Sequence, residues 1–229
     1  MNSIQAPNPS ALINEFFTPA YLTASLFRSL QRPNSSRGNG EHVLVWPGFG
    51  ASNASTVALR AFLQSLGYKT EGWQLGRNSA DVQATLEELK KDVIARPEPV
   101  ILVGWSLGGY LAREVARDCP DRVSQVVTLG SPVVGGPKYT AIASTFNDSD
   151  GALDEIERLV EERYETPLEV PVTAIYSKSD GVVAWQACID HRSPNVNHIE
   201  VVTSHTGFGF DANVLKIVAD QISAINTKH

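Results

Sequence analysis

The sequence predicts an α/β domain: a mostly parallel sheet of about six strands with helices on both faces. Three observations predict it. Short apolar runs such as "HVLVW", "PVILV" and "VTAIY" recur without polar alternation, as strands buried on both faces do. Segments of helical periodicity stand between them. The 229 residues, 42 % hydrophobic and 19 % charged, suffice for one sizeable core.

Residues 1–41 read as a helical arm and linker. Thr18-Pro19 is a helix start, Leu22, Leu26 and Leu30 share one face, and "RPNSSRGNGE" follows as linker. Packing on the main domain is the plain role for this arm; contact with a lipid surface is the sharper alternative. Residues 42–229 carry the alternation. "HVLVWPG" is a strand ended by Pro47 and Gly48. A helix follows with Leu59, Phe62, Leu63 and Leu66 on one face, stopped by Gly67. "KTEGWQLG" is a shorter strand. The next helix places Val82, Leu86, Leu89 and Val93 together, with a cap expected near Asn78-Ser79. "PVILVGWS" is a strand, and "LGGYLAREVARDC" is a helix that Pro120 ends. Three more strands, "VSQVVTLGSP", "VPVTAIYSKSDG" and "HIEVVTSH", precede the last helix, "ANVLKIVADQISAIN".

Residues 134–170 break the alternation and are read as a small cap or lid beside a pocket, with a plain solvated helix face as the alternative. Their helix has Leu153, Ile156, Val160 and Tyr164 on its apolar side. Between Asp148 and Glu169 stand nine acidic and two basic side chains. The net charge of the whole chain is -6, so its negative charge is concentrated there.

No basic run or basic aromatic stripe suggests nucleic acid, and no stretch is apolar and long enough to span a membrane. Cys119 and Cys188 are too few for a disulfide framework and are expected to be reduced. The first residues lack a basic region followed by an apolar one, so a cytoplasmic location is expected.

The chemistry starts at Gly104-x-Ser106-x-Gly108. This matches a nucleophile elbow, in which a strand turns at once into a helix and carries its serine on the corner. Neighbours two residues away must lack side chains, or they collide across the turn. A serine hydroxyl needs a base near neutral pH. Of the five histidines, His42 opens a strand, His191 and His198 lie in a polar stretch, and His229 is terminal. A metal site with Asp190 is an unconvincing spacing for those middle two. His205 follows the last strand, at the carboxyl edge that also carries Ser106, where sites of open α/β sheets gather. Asp180, just past the preceding strand, is the favoured carboxylate to orient it; Asp190 and Asp211 are alternatives. The Leu107 amide, directly after the serine, and the Phe49 amide in "WPGFG" are candidate oxyanion donors. Trp46, Phe49, Trp105, Tyr110 and Trp185 are candidates to line an acyl pocket, each as readily core.

In this order, "VLVWPGFG", "GWSLGG", "YSKSDG" and "SHTGFG" resemble the α/β-hydrolase family, in particular its small lipase and esterase branch. The resemblance covers residues 42–225. It implies Ser106 as nucleophile, Asp180 as acid, His205 as base, and Phe49 and Leu107 as oxyanion donors. The small size of the chain suggests a reduced sheet lacking the family's first two strands. Where lipases usually carry His before the glycine of the oxyanion loop, to brace it, this chain has Pro47. The activity expected is hydrolysis of a small-molecule carboxylic ester through an acyl-serine, with no cofactor and no metal. A thioesterase, amidase or acyltransferase would use the same triad, and a non-catalytic binding protein is a third class. Oligomeric state is not readable.

Overall fold

The computed structural model describes residues 4–7, 15, 37–79, 81–143 and 152–226. The helix expected from Pro19 through Leu30 lies outside these residues. Six strands form one sheet: β1 His42–Trp46, β2 Lys69–Gly72, β3 Val100–Trp105, β4 Val123–Leu129, β5 Val172–Ser177 and β6 Val196–Val201. Their order is β2-β1-β3-β4-β5-β6, and every neighbouring pair is parallel.

Among the described residues there are five α-helices: α1 Val57–Ser65, α2 Val82–Ile94, α3 Leu107–Asp118, α4 Ala152–Tyr164 and α5 Ala212–Asn226. The strand period of two sorts the core into halves. Val43 and Val45 of β1 face one way and pack with Leu59, Phe62 and Leu63 of α1 and with Val218 and Ile222 of α5. Leu44 and Trp46 face the other way and pack with Leu86, Leu89 and Val93 of α2 and with Leu111 and Val115 of α3. Each such fully buried large side chain stabilises by roughly 1.5–3 kcal/mol relative to exposure. The continuous apolar runs of β1 and β3 follow from this burial on both faces.

The chain winds outward from β1 to β2, then returns across β1 to β3. The direction of winding therefore reverses between β1 and β3, and the segments after these two strands diverge there. In open α/β sheets such a point opens a crevice at the carboxyl edge. The segments after β1 and β3 are "PGFG" and "SLGG".

One cap differs from expectation. Helix α2 is capped by Asp81, whose carboxylate accepts the Ala84 N–H at 3.2 Å, not by Asn78 or Ser79. Asn78 is buried and has other work.

Candidate active site

Ser106 has φ 54° and ψ −123° and is the one non-glycine residue with positive φ among the described residues. Holding it there costs of order 1–3 kcal/mol. Three glycines make the turn possible. A Cβ on Gly104 would lie 2.3 Å from the Gly108 carbonyl oxygen; one on Gly108, 2.5 Å from the Trp46 carbonyl oxygen; one on Gly109, 2.0 Å from Ser131 Oγ. The Ser106 N–H donates to the Leu129 carbonyl at 2.8 Å, which ties the elbow to the end of β4. Ser106 immediately precedes α3, so Leu107 is the first helical residue, where amides have no intrahelical acceptor.

The loop after β1 folds over the elbow. A Cβ on Gly48 would stand 3.1 Å from Ser106 Cβ. Phe49 is 44 % exposed and lines the same cavity as Ser106. Residues 77 and 78 hold this loop. Asn78 Nδ2 donates to the Pro47 carbonyl at 3.0 Å, the Asn78 N–H donates to the Ala51 carbonyl at 2.9 Å, and the Gly50 N–H donates to the Asn78 carbonyl at 2.8 Å. Arg77 adds a bond to the Gly50 carbonyl at 2.8 Å. Asn78 thus braces the loop in which Pro47 stands where the resemblance leads one to expect a bracing histidine. Nothing in its sequence context marks it, because the loop it braces is thirty residues earlier.

Asp180 and His205, each 8 % exposed, meet beyond β5 and β6. His205 Nδ1 is 2.8 Å from Asp180 Oδ2. Asp180 Oδ1 accepts the Val182 and Val183 N–H groups at 2.8 Å each, which fixes the carboxylate from behind. A carboxylate facing Nδ1 selects the tautomer with its proton there and leaves Nε2 as acceptor. The imidazole packs beside Trp105, with ring centroids 6.0 Å apart, and against the edge of Phe208 at 6.1 Å. Trp105 is the residue before Ser106, so the imidazole packs beside the elbow's chain neighbour. Gly130, at the end of β4, closes the ring: a Cβ there would lie 3.0 Å from Asp180 Oδ2 and 2.6 Å from the Phe208 ring.

The alternative carboxylates have other partners. Asp190 forms a fully buried ion pair with Arg113 and accepts the Arg192 and Ser193 N–H groups. Burial works to raise its pKa, but Arg113 and these bonds hold it well below the usual carboxylate range. Asp211 accepts the Asn213 and Val214 N–H groups and so caps α5. Of the remaining histidines, His198 Nε2 accepts the Asp190 N–H at 3.0 Å, and His42 stands beside Glu71 at the start of β1. Among the described residues no cluster of three or more His, Cys, Asp or Glu could hold a metal ion. Both cysteines are unpaired.

A cavity of about 230 Å³ opens at Ser106. Its walls are Leu107 and Tyr110 of α3, Pro137, Thr140 and Ile142 of the 134–170 segment, and Ile156, Leu159 and Val160 of α4. Among the described residues no charged side chain lines it. Burial pushes the Tyr110 phenol far above its ordinary pKa, so it stays neutral. Of the aromatic residues expected here, Phe49 and Tyr110 are present. Trp46 is instead in the core beneath the sheet, Trp105 packs on His205, and Trp185 stacks on Tyr176 at 5.8 Å. Leu159, 47 % exposed, was not on the expected apolar side of α4 yet forms part of the cavity wall. Lys138 pairs with Glu157 within this segment, and Arg163 of α4 seats it on α3 through Glu114 and Asp118.

A model of the alpha/beta hydrolase family matches residues 16–216. The chain belongs to the α/β-hydrolase family. The match begins at residue 16, earlier than the resemblance read over residues 42–225. Among the described residues the sheet of this α/β hydrolase has the six strands that the sequence suggests. A pimeloyl-[acyl-carrier protein] methyl ester esterase of Aliivibrio salmonicida is 31 % identical over 110 residues, which span 46 % of this chain and 40 % of that protein. This α/β hydrolase therefore aligns with less than half the length of that curated relative. Among solved structures, a monoacylglycerol lipase from Paleococcus ferrophilus superimposes with a TM-score of 0.64 at 13 % identity, covering 82 % of this chain and 97 % of that one. The thioesterase domain from the curacin biosynthetic pathway does so with a TM-score of 0.57 at 14 % identity, covering 81 % and 93 %. At these identities the likeness is one of fold.

Proposed function

We propose that this α/β hydrolase cleaves small-molecule carboxylic esters through an acyl-serine, with Ser106, His205 and Asp180 as its triad. One observation carries the reading. The Asp180 carboxylate holds His205 at 2.8 Å on the sheet edge where the elbow thrusts Ser106 toward an apolar cavity.

His205 Nε2 takes the Ser106 proton as Oγ attacks the ester carbonyl, and Asp180 stabilises the imidazolium that forms. The amides of Phe49 and Leu107 donate to the developing oxyanion, and the N-terminus of α3 points its positive end there. The imidazolium returns the proton to the leaving alcohol, and water then releases the acid by the same steps. The aliphatic wall formed by Leu107, Ile156, Leu159 and Val160 suits an apolar acyl chain. The 134–170 segment is assigned as the cap over that chain, with residues 1–41 as an arm on a 42–229 hydrolase domain. The two unpaired cysteines support a cytoplasmic location. The relative's action on a methyl ester supports an ester over a thioester or amide as substrate.

The test is mass spectrometry after treatment with a fluorophosphonate. One adduct is expected, on Ser106, and none in His205→Ala protein. Labelling elsewhere, or none in folded protein, would sink the assignment. A panel of esters, thioesters and amides of one acyl chain then ranks the leaving groups.

The brace makes its own prediction. Asn78→Ala removes a buried bond to the oxyanion loop, worth about 1 kcal/mol of stability. Loosened donors are expected to lower kcat by about ten-fold or more, with a smaller change in KM. Steady-state kinetics on a p-nitrophenyl ester read this directly; an unchanged kcat would separate the brace from the oxyanion donors.

A further inference from the structure

Glu15 belongs to the N-terminal arm, far in sequence from every residue of the triad. Its carboxylate is buried at the carboxyl edge of the sheet, and three backbone amides from two loops converge on it. Oε1 accepts the Gly181 N–H at 3.1 Å and the His205 N–H at 2.8 Å; Oε2 accepts the Thr206 N–H at 2.7 Å. Gly181 follows Asp180, and Thr206 follows His205. One side chain therefore bridges the loop that carries the acid and the loop that carries the base.

The same two loops are joined once more, at their roots. Ser177 Oγ donates to the Thr203 carbonyl at 2.6 Å and accepts the Thr203 N–H at 3.2 Å. The Asp180–His205 bond lies between these two ties. With both in place, neither loop can slide along the other without breaking a buried hydrogen bond, and a buried amide left without a partner is costly. We propose that Glu15 is a positioning residue, reaching in from the arm to fix the separation of the Asp180 and His205 loops. This rests on the hydrolase reading for its catalytic consequence, but the positioning itself has an independent readout.

The charge state supports the assignment. Burial works to raise the Glu15 pKa, yet the amide bonds from Thr206, His205 and Gly181 outweigh it and leave the pKa below its ordinary value. The side chain is ionised near neutral pH, when a carboxylate accepts amides most strongly.

Glu15→Gln is the discriminating variant. It keeps the shape but replaces one acceptor oxygen with an NH2 group, which must face at least one of the three N–H groups. Four quantities are measured: kcat and KM on a p-nitrophenyl ester, the Tm, and the downfield proton resonance of His205 Nδ1–H. Expected are a fall in kcat of about ten- to a hundred-fold, a KM within about two-fold of the parent, and an altered or exchange-broadened resonance. Glu15→Asp, which keeps both oxygens on a shorter stem, is expected to fall between the parent and the Gln variant. If the Gln variant does not fold, the Asp variant is read in its place by the same criteria. An unaltered resonance in folded variant protein overturns the proposal, whatever happens to kcat. So does a parental kcat in an enzyme whose activity depends on Ser106. A parent protein that shows the resonance but no turnover overturns the hydrolase reading instead, and the variant's resonance still decides the role of Glu15.

Discussion

Replacing Ser106 with alanine is expected to lower kcat for a p-nitrophenyl ester by about ten-thousand-fold or more while leaving the protein folded. The hydroxyl is the attacking atom in the proposed reaction, and alanine leaves His205 without the proton it is proposed to take. Residual turnover is expected from the oxyanion donors and binding alone. Stability adds a second, independent arm. Alanine inherits the backbone angles of φ 54° and ψ −123°, so it leaves the strain in place. Ser106→Gly removes most of it and is expected to stabilise by about 1 kcal/mol, offset in part by the looser unfolded chain. Activity kinetics with thermal or urea melts check both arms. Near-parental activity in Ser106→Ala would end the serine mechanism; a destabilised glycine variant would end the account of strain.

Asp180→Asn is expected to lower kcat by about ten-thousand-fold with little loss of fold, by analogy with the known cost of forcing the wrong imidazole tautomer. The asparagine carbonyl can still accept the Val182 and Val183 N–H groups, so the turn is kept. Its NH2 then faces His205 Nδ1, which must become an acceptor. The proton moves to Nε2, where the base is needed. The distinguishing sign is a kcat loss without a matching loss in Tm. Asp190→Asn behaves in the opposite way: it leaves Arg113 buried and underpaired, so stability falls first. Equal kcat losses from the two variants at unchanged stability would contradict the division of roles.

The sheet was legible because burial on both faces forces unbroken apolar runs, and "HVLVW" and "PVILV" show them. The elbow was legible because steric exclusion at Gly104 and Gly108 leaves a fixed spacing in the sequence. Asp180 and His205 were legible by position, each just past a strand on one edge, and the structure brings those two side chains together. The role of Asn78 leaves no mark in the sequence because its partners are main-chain groups of a distant loop, which impose no pattern on the chain. Glu15 was overlooked for the same reason: it meets main-chain amides, whose identity no side chain records. The pocket aromatics were over-assigned because a tryptophan serves core and cavity equally well; Trp46 went to the core through the alternation of β1.

Around the elbow, chain meets chain: Gly108 abuts the Trp46 carbonyl and Gly104 abuts the Gly108 carbonyl, with no side chain between them. Contacts of that kind leave evolution almost no room, since any added atom collides. The far wall of the cavity is different, being made of Ile156, Leu159 and Val160 on a helix seated by ion pairs. Descendants of this enzyme would diversify their diet there, by exchanging one aliphatic side chain for another, while the corner that carries the hydroxyl stayed frozen.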